Sequence, residues 1–200
     1  MNQPIRKIYL ASKSPRRREL LRQVGIEFEL LLNDTEVDED VLPDETPHDY
    51  VARVTLEKAE RARQTMLHRQ LPVLPVLAAD TTVVIDATIL GKPVDMADAV
   101  QMMRRLSGRT HQVLTSIAVA FNDQLWQTTQ SSNVVFDKLS ERTIAAYCAT
   151  AEPYDKAGGY GIQGPAAIFI TDITGSYSGI AGLPLFETAQ LLQKAGVHIL

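Results

Sequence analysis

The sequence predicts a mixed α/β domain, and three observations carry that prediction. Apolar runs of strand length alternate with stretches of helical periodicity. Residues that open helices, Ser14, Thr46, Asp95 and Ser140, stand directly ahead of four of those stretches. The order, β-α-β-α-β-β-α-β-β-α-loop-β-α, breaks strict alternation twice. A long mixed β-sheet with helices forming two lobes around a cleft therefore fits better than a doubly wound parallel sheet. The 200 residues, 45% of them apolar, can bury a proper core, and no linker or repeat divides 1–200 into separate domains.

Lys7–Ala11 reads as the first strand. Ser14 followed by Pro15 is a hydroxyl N-cap with proline at the first helical position, and that helix carries Leu20, Leu21 and Val24 inward before stopping near Gly25. Phe28–Leu32 reads as the second strand, followed by an acidic loop, Asn33–Asp44. Thr46, Pro47 and Asp49 open a helix reaching about His68. Leu74–Ala79 is a buried strand, and Thr82–Asp86 with Thr88–Leu90 forms a hairpin. Asp95 caps a helix ending at Ser107-Gly108. Gln112–Phe121 and Leu125–Phe136 make a long antiparallel pair turning at Asn122-Asp123, and Ser140 caps a short helix to about Ala149. Composition then shifts, with seven of the 11 glycines between Gly158 and Gly182. A strand at Ala167–Ile173 and a final helix from about Phe186 to Ala195 complete the order.

The charge balance excludes several function classes. With 20 Lys+Arg against 24 Asp+Glu, the net charge of −4 argues against a nucleic-acid coat, as do 6% aromatics without a stacking platform. A lone Cys148 forms no intramolecular disulfide, and no Cys/His cluster exists to bind zinc. No apolar run approaches the roughly 20 residues of a membrane span, and the N-terminal apolar stretch is too short for a secretory signal. The expectation is a soluble, cytoplasmic protein.

Several charges stand where a core pattern leaves no room for them. Arg17 falls in the middle of the stripe set by Leu20, Leu21 and Val24 at a helix N-terminus. An anion held there by Arg17, backbone N–H groups and the Ser12 and Ser14 hydroxyls would explain it, and so would a salt bridge to a carboxylate. Lys58 is central to the stripe of Val51, Val54 and Ala62, reaching either a polar cleft or an ion-paired edge. Asp80 ends the run Val76–Ala79 and must be paired, metal-bound or cleft-facing, because a bare buried carboxylate is very costly. Lys92, before Pro93, taken alone reads as a solvated lysine. The acidic stretch Asp34, Glu36, Asp38, Glu39 and Asp40 is a solvated loop unless a phosphate ligand brings Mg²⁺ to it. The Glu152–Gly164 loop, dense in glycine and polar residues, serves either ligand recognition or a strained turn. His111, between apolar strand positions, reads as a core histidine.

Seven segments, in order, resemble the Maf family of nucleotide pyrophosphatases over essentially the whole chain. They are LASKSPRRRELL (Leu10–Leu21), LEKAERA (Leu56–Ala62), AADTTV (Ala78–Val83), GKP (Gly91–Pro93), LSGRTHQVLT (Leu106–Thr115), EPYDKAGGYGIQG (Glu152–Gly164) and GLPL (Gly182–Leu185). The resemblance implies a Maf/inosine-triphosphatase-like fold, a divalent metal (Mg²⁺ or Mn²⁺), and hydrolysis of nucleoside triphosphates to monophosphate and pyrophosphate. The subgroup acting on dTTP and UTP is the most similar, through Arg16 after Ser-Pro, Thr81 after the central aspartate, and Gln163 in the glycine loop. Family roles then fall on Asp80 as proton acceptor, Lys58 and Lys92 as conserved lysines, and Glu36 with Asp80 at the metal. A two-residue slide of the acidic loop would put Asp34 or Asp38 in place of Glu36. Modified pyrimidine triphosphates, a homodimer and a link to division arrest are further implications of the resemblance. A non-catalytic septum regulator or a 7-methyl-GTP pyrophosphatase is the rival reading. The Gln163 amide both donates and accepts, matching the O4 and N3–H of uracil or thymine where cytosine presents the reverse.

Overall fold

The computed structural model describes residues 5–32 and 37–199. In chain order the elements are β1 (Lys7–Leu10), α1 (Pro15–Gln23), β2 (Glu27–Leu30), α2 (Pro47–His68), β3 (Val76–Ile85), β4 (Thr88–Leu90), α3 (Met96–Leu106), β5 (Thr110–Phe121), β6 (Gln124–Phe136), α4 (Glu141–Cys148), β7 (Ile170–Thr174), α5 (Tyr177–Ile180) and α6 (Leu185–Lys194). The strands form one mixed sheet in the order β2-β1-β3-β5-β6-β7, with β4 on β3. β1 runs parallel to β2 and β3, and the other pairings are antiparallel.

The helix starts are where local chemistry puts them. Ser14, Thr46, Asp95 and Ser140 each accept a hydrogen bond from the amide three residues on, at 3.5, 3.2, 2.8 and 3.1 Å. Each satisfies one of the donors that a helix N-terminus leaves open.

Two readings are corrected, and one helix is added. The expected break at Asp80 is absent, and β3 is continuous, because the ladder to β5 runs straight through Asp80↔Ser116 and Thr81↔Thr115. Polar side chains interrupt the apolar pattern but not the backbone bonds. The expected strand Ala167–Ile173 divides into a 3-10 turn opened by Pro165 (Pro165–Phe169) and β7, which starts only at Ile170. Helix α5, too short for a periodic signal, is nucleated by the Ser176 hydroxyl accepting from Gly179 N at 3.0 Å.

Helix α2 lies across one face of the sheet. Its Ala59 and Ala62 meet Ala78, Ala118 and Ala120, and Val51 and Val54 meet Val84 and Leu114. Alanine on both sides lets helix and sheet approach closely, which brings side chains on α2 within reach of β3. The opposite face carries the larger core, including Leu20, Leu21, Leu77, Ile117, Phe136 and Leu192.

His111 is a buried core residue of that face. Its Nε2 lies 2.7 Å from the Tyr160 hydroxyl, and its ring meets Phe136 edge-on. Burial pulls its pKa from 6.5 down to about 4. The folded protein therefore holds His111 neutral, whereas the unfolded chain titrates near 6.5. The linked stability is complete above that value and fades as pH falls towards 4, by about 3 kcal/mol in all. Urea unfolding between pH 7.5 and 4.5 should fall more steeply for the wild type than for His111→Phe. Parallel slopes would remove His111 from the acid sensitivity.

Candidate active site at the fork of the sheet

β5 pairs with β3 along one edge from Val76 to Val84. On the other edge β1 pairs only with Val76 and Leu77, and β4 only with Val83 to Ile85. Between them Ala78–Thr82 has no strand on that edge among the described residues. Past Leu10, the chain of β1 turns away into α1 and so opens a cleft of about 660 Å³. That size suits a small-molecule ligand. Asp80 and Thr81, as neighbours on a strand, point to opposite faces, yet at the fork both line the same cleft.

On the α2 face, Lys58 Nζ lies 2.6 Å from Asp80 Oδ1 and 2.6 Å from Glu39 Oε1. The lysine is thus shared by two carboxylates, one on a core strand and one on the acidic loop. The Asp80 side chain is 14% exposed and that of Glu39 52%, so the pair straddles the cleft wall and the solvent. Tyr50 donates its hydroxyl to the Glu39 backbone oxygen at 3.0 Å. Burial, with the charges of Asp80 and Glu39, pushes the Tyr50 pKa up to about 12 and keeps the phenol neutral.

On the other face, Arg17 makes three hydrogen bonds among the described residues, and none of them is to a carboxylate. Nε donates to Gly182 O at 2.8 Å, Nη1 to Ser12 Oγ at 2.9 Å and Nη2 to Thr81 Oγ1 at 3.2 Å. The Thr115 hydroxyl spends its single proton on Gly179 O at 2.8 Å, so Thr81, 2.9 Å away, must donate to Thr115. The order Arg17→Thr81→Thr115→Gly179 O fixes the guanidinium to α5. Burial lowers the Arg17 pKa, with the Asp80 charge opposing that shift. A part-buried cation whose hydrogen bonds go to neutral acceptors leaves its charge for an anionic ligand to meet. Among the described residues, the salt-bridge explanation of Arg17 is not the one realised.

Among the described residues, six Lys and Arg side chains line the cleft against the three carboxylates Glu39, Asp80 and Asp155, in a chain whose net charge is −4. The cleft is locally positive in an acidic protein, which selects an anionic ligand.

Of the residues singled out in the sequence, Ser12, Ser14, Arg16, Arg17, Lys58, Asp80, Thr81 and Lys92 all line this cleft. Arg16 Nη1 is 3.5 Å from Asp155 Oδ2, which ties α1 to the glycine loop. Gln163 is exposed and is not among the lining residues; its neighbours Gly161 and Ile162 are. Glu36 and Asp34 lie outside the described residues. Among the described residues of the acidic run, the one that reaches Lys58 is Glu39, and a run with five carboxylates gives no local signal to single it out. Thr115 and Asp155 were also not singled out. The in–out pattern of β5 and the register Thr81↔Thr115 are what place the first of these.

The glycine loop is packed around its own first residue. Glu152 Oε1 accepts from Tyr147 OH at 3.0 Å and from the amides of Gly161 and Ala166 at 3.3 Å. A Cβ on Gly164 would sit 2.0 Å from Glu152 Oε2. Close approach of the loop to Glu152, rather than to a ligand, is what requires glycine there. Gly164→Ala should destabilise the fold by about 2–3 kcal/mol, since the clashing carboxylate is pinned by three hydrogen bonds. Thermal unfolding checks this, and an unchanged Tm would mean that Glu152 is free to swing away.

Fold and site together define a mixed α/β protein with a cationic cleft built to hold a polyanion beside a carboxylate pair. The chain belongs to the Maf family: the family model described as "Maf-like protein" matches residues 7–195. Among curated relatives, the dTTP/UTP pyrophosphatase of Nitrosomonas europaea is 51% identical over 198 residues, covering 96% of each chain. That of Ralstonia nicotianae is 53% identical over 197 residues, covering 96% of this chain and 95% of its own. Among solved structures, the Staphylococcus aureus Ham1 protein aligns with 65% of this chain and 71% of its own, at 13% identity and a TM-score of 0.42.

Proposed function

We propose that this chain hydrolyses dTTP and UTP to the nucleoside monophosphate and pyrophosphate. One observation carries the reading: Asp80 and Glu39 share Lys58 in a cleft that also holds Arg17, a part-buried cation that donates to no carboxylate among the described residues. A triphosphate would meet the unspent charge of Arg17, and Lys58 and Lys92 would take up charge as it develops on the phosphate oxygens. Asp80 would accept the proton of the water that attacks the α-phosphorus, with pyrophosphate as the leaving group.

The family implies a divalent metal, and the donors present fit one. Two carboxylates converging on one ammonium form a hard oxygen site, and Mg²⁺ or Mn²⁺ is held by one or two carboxylates plus substrate phosphates. Among the described residues, Asp80 and Glu39 would hold it; Glu36, the partner of Asp80 that the sequence pointed to, lies outside the described residues. Bound there, the ion would neutralise phosphate oxygens.

Recognition of the pyrimidine is assigned to the rim where Arg16 meets Asp155 and the loop turns at Ile162-Gln163. Thr81 would act through Arg17, because its proton is spent on Thr115. Gln163, exposed on the turn next to Ile162, would read O4 and N3–H from the cleft edge. An unchanged UTP/CTP preference in Gln163→Glu would remove it from that role. A cytoplasmic, homodimeric enzyme that also clears modified pyrimidine triphosphates is consistent with this reading.

The test incubates the protein with Mg²⁺ or Mn²⁺ and dTTP, UTP, CTP, GTP or 7-methyl-GTP, following monophosphate and pyrophosphate separately. Pyrophosphate from dTTP and UTP is the expected result. Preferred turnover of 7-methyl-GTP would overturn the substrate, and no turnover with either metal would overturn the activity.

A further inference from the structure

We infer that Arg53 is a positioning residue that, with Glu45 and Tyr50, straps the acidic segment Val37–Glu45 along α2 and so presents Glu39 to Lys58 and Asp80. The inference rests on the proposed reading only in giving Glu39 a metal to hold.

The strap holds the segment at its C-terminal end and in its middle. Arg53 grips Glu45 with a two-pronged contact, Nε to Oε1 at 2.6 Å and Nη2 to Oε2 at 2.9 Å. The same Nη2 donates to Asp40 O at 2.9 Å, next to Glu39. Tyr50, one turn earlier on α2, donates to Glu39 O at 3.0 Å. The Arg53 guanidinium lies 5.8 Å from the Tyr50 ring centroid, and Glu57 accepts from Nη1 at 3.3 Å. Glu45 Oε2 also accepts the Leu42 amide at 3.0 Å, which closes the turn between strap and loop. The Glu45 side chain is only 8% exposed, so this is a built contact rather than a surface encounter. The hydrogen bond from Arg53 holds Glu45 below the usual carboxylate range.

The segment needs such a hold. Its Asp38, Glu39 and Asp40 are exposed and carry like charge towards Asp80, and Val37 is its buried apolar anchor. The Lys58–Glu39 contact is half-exposed on the glutamate side, and an ion pair of that kind contributes too little to order a loop of this length. Arg53 touches neither Lys58 nor Asp80 among the described contacts, so its effect on the cleft would pass through the backbone it holds. Residues that orient metal ligands in this manner commonly change metal affinity 10–100-fold, as an order of magnitude.

The experiment compares the full chain with Arg53→Met, which keeps the aliphatic stem and loses the fork. Mn²⁺ binding without nucleotide, read by electron paramagnetic resonance, should weaken about 10-fold. Half-saturating Mn²⁺ for pyrophosphate release should rise by the same factor, with kcat at saturating metal little changed. Amide exchange should accelerate within residues 37–45 while the sheet keeps its protection. The swap Arg53→Glu with Glu45→Arg should recover part of the metal affinity. In Glu39→Gln, adding Arg53→Met should cause no further loss. Unchanged Mn²⁺ binding in Arg53→Met overturns the inference, and so does an additive loss in the double variant. If the wild type turns over no nucleotide, the proposed activity fails, while Mn²⁺ binding and exchange still decide the strap.

Discussion

Asp80→Asn should lower kcat for pyrophosphate release from dTTP and UTP by about 10³-fold, the scale of a lost general base. The substitution is nearly isosteric, and an amide oxygen still accepts from Lys58 Nζ, which lies 2.6 Å from Oδ1 in the wild type. The fold should therefore survive, with a Tm within a few degrees of the wild type. More Mg²⁺ or Mn²⁺ should be needed to saturate the variant, because Asp80 would also hold the metal, but with metal saturating KM should not rise, since removing a negative charge from the cleft eases the entry of a triphosphate. A low kcat with unchanged or lower KM separates a chemical role from a binding one. A loss smaller than 10-fold would move the proton acceptor elsewhere, and Glu39, the other carboxylate on Lys58, is the residue to test next.

Arg17→Met should reduce kcat/KM by about 10²–10³-fold, the usual cost of removing a preorganised charge from a phosphate site. Its physical signature lies in stability. The guanidinium is held by Ser12, Thr81 and Gly182, all neutral, so the ligand-free protein carries a part-buried cation with no carboxylate hydrogen-bonded to it among the described residues. Loss of that cation should leave the Tm of the free protein little changed while abolishing the Tm increase that a non-hydrolysable dTTP analogue gives the wild type. Arg17→Lys should not rescue activity, because one ammonium cannot span three acceptors on the β1–α1 loop, β3 and the segment after α5. A lysine variant with wild-type kcat/KM would show that only charge matters and that the fixed fork does not.

Most of the elements, and many of the residues that line the candidate cleft, were legible along the chain. The caps at Ser14, Thr46, Asp95 and Ser140 were legible because each acts on an amide three residues away. Arg17, Lys58 and Asp80 were legible because each is a charge in an apolar pattern, and a charge there must have a reason. What those charges meet was decided by tertiary structure. Arg17 reaches Thr81 and Gly182 across 64 and 165 residues, and no local pattern records such a contact. Glu39 meets Lys58 because α2 packs on an alanine-lined sheet and holds the loop through Tyr50 and Arg53; counting along five carboxylates could not find it. The continuity of β3 through Asp80 came from its ladder with β5, a partner more than thirty residues away. Periodicity and capping are set within about one helical turn and so can be read along the chain. A site built on a fork in a sheet is set by which strands fail to meet, and only the assembled sheet determines that.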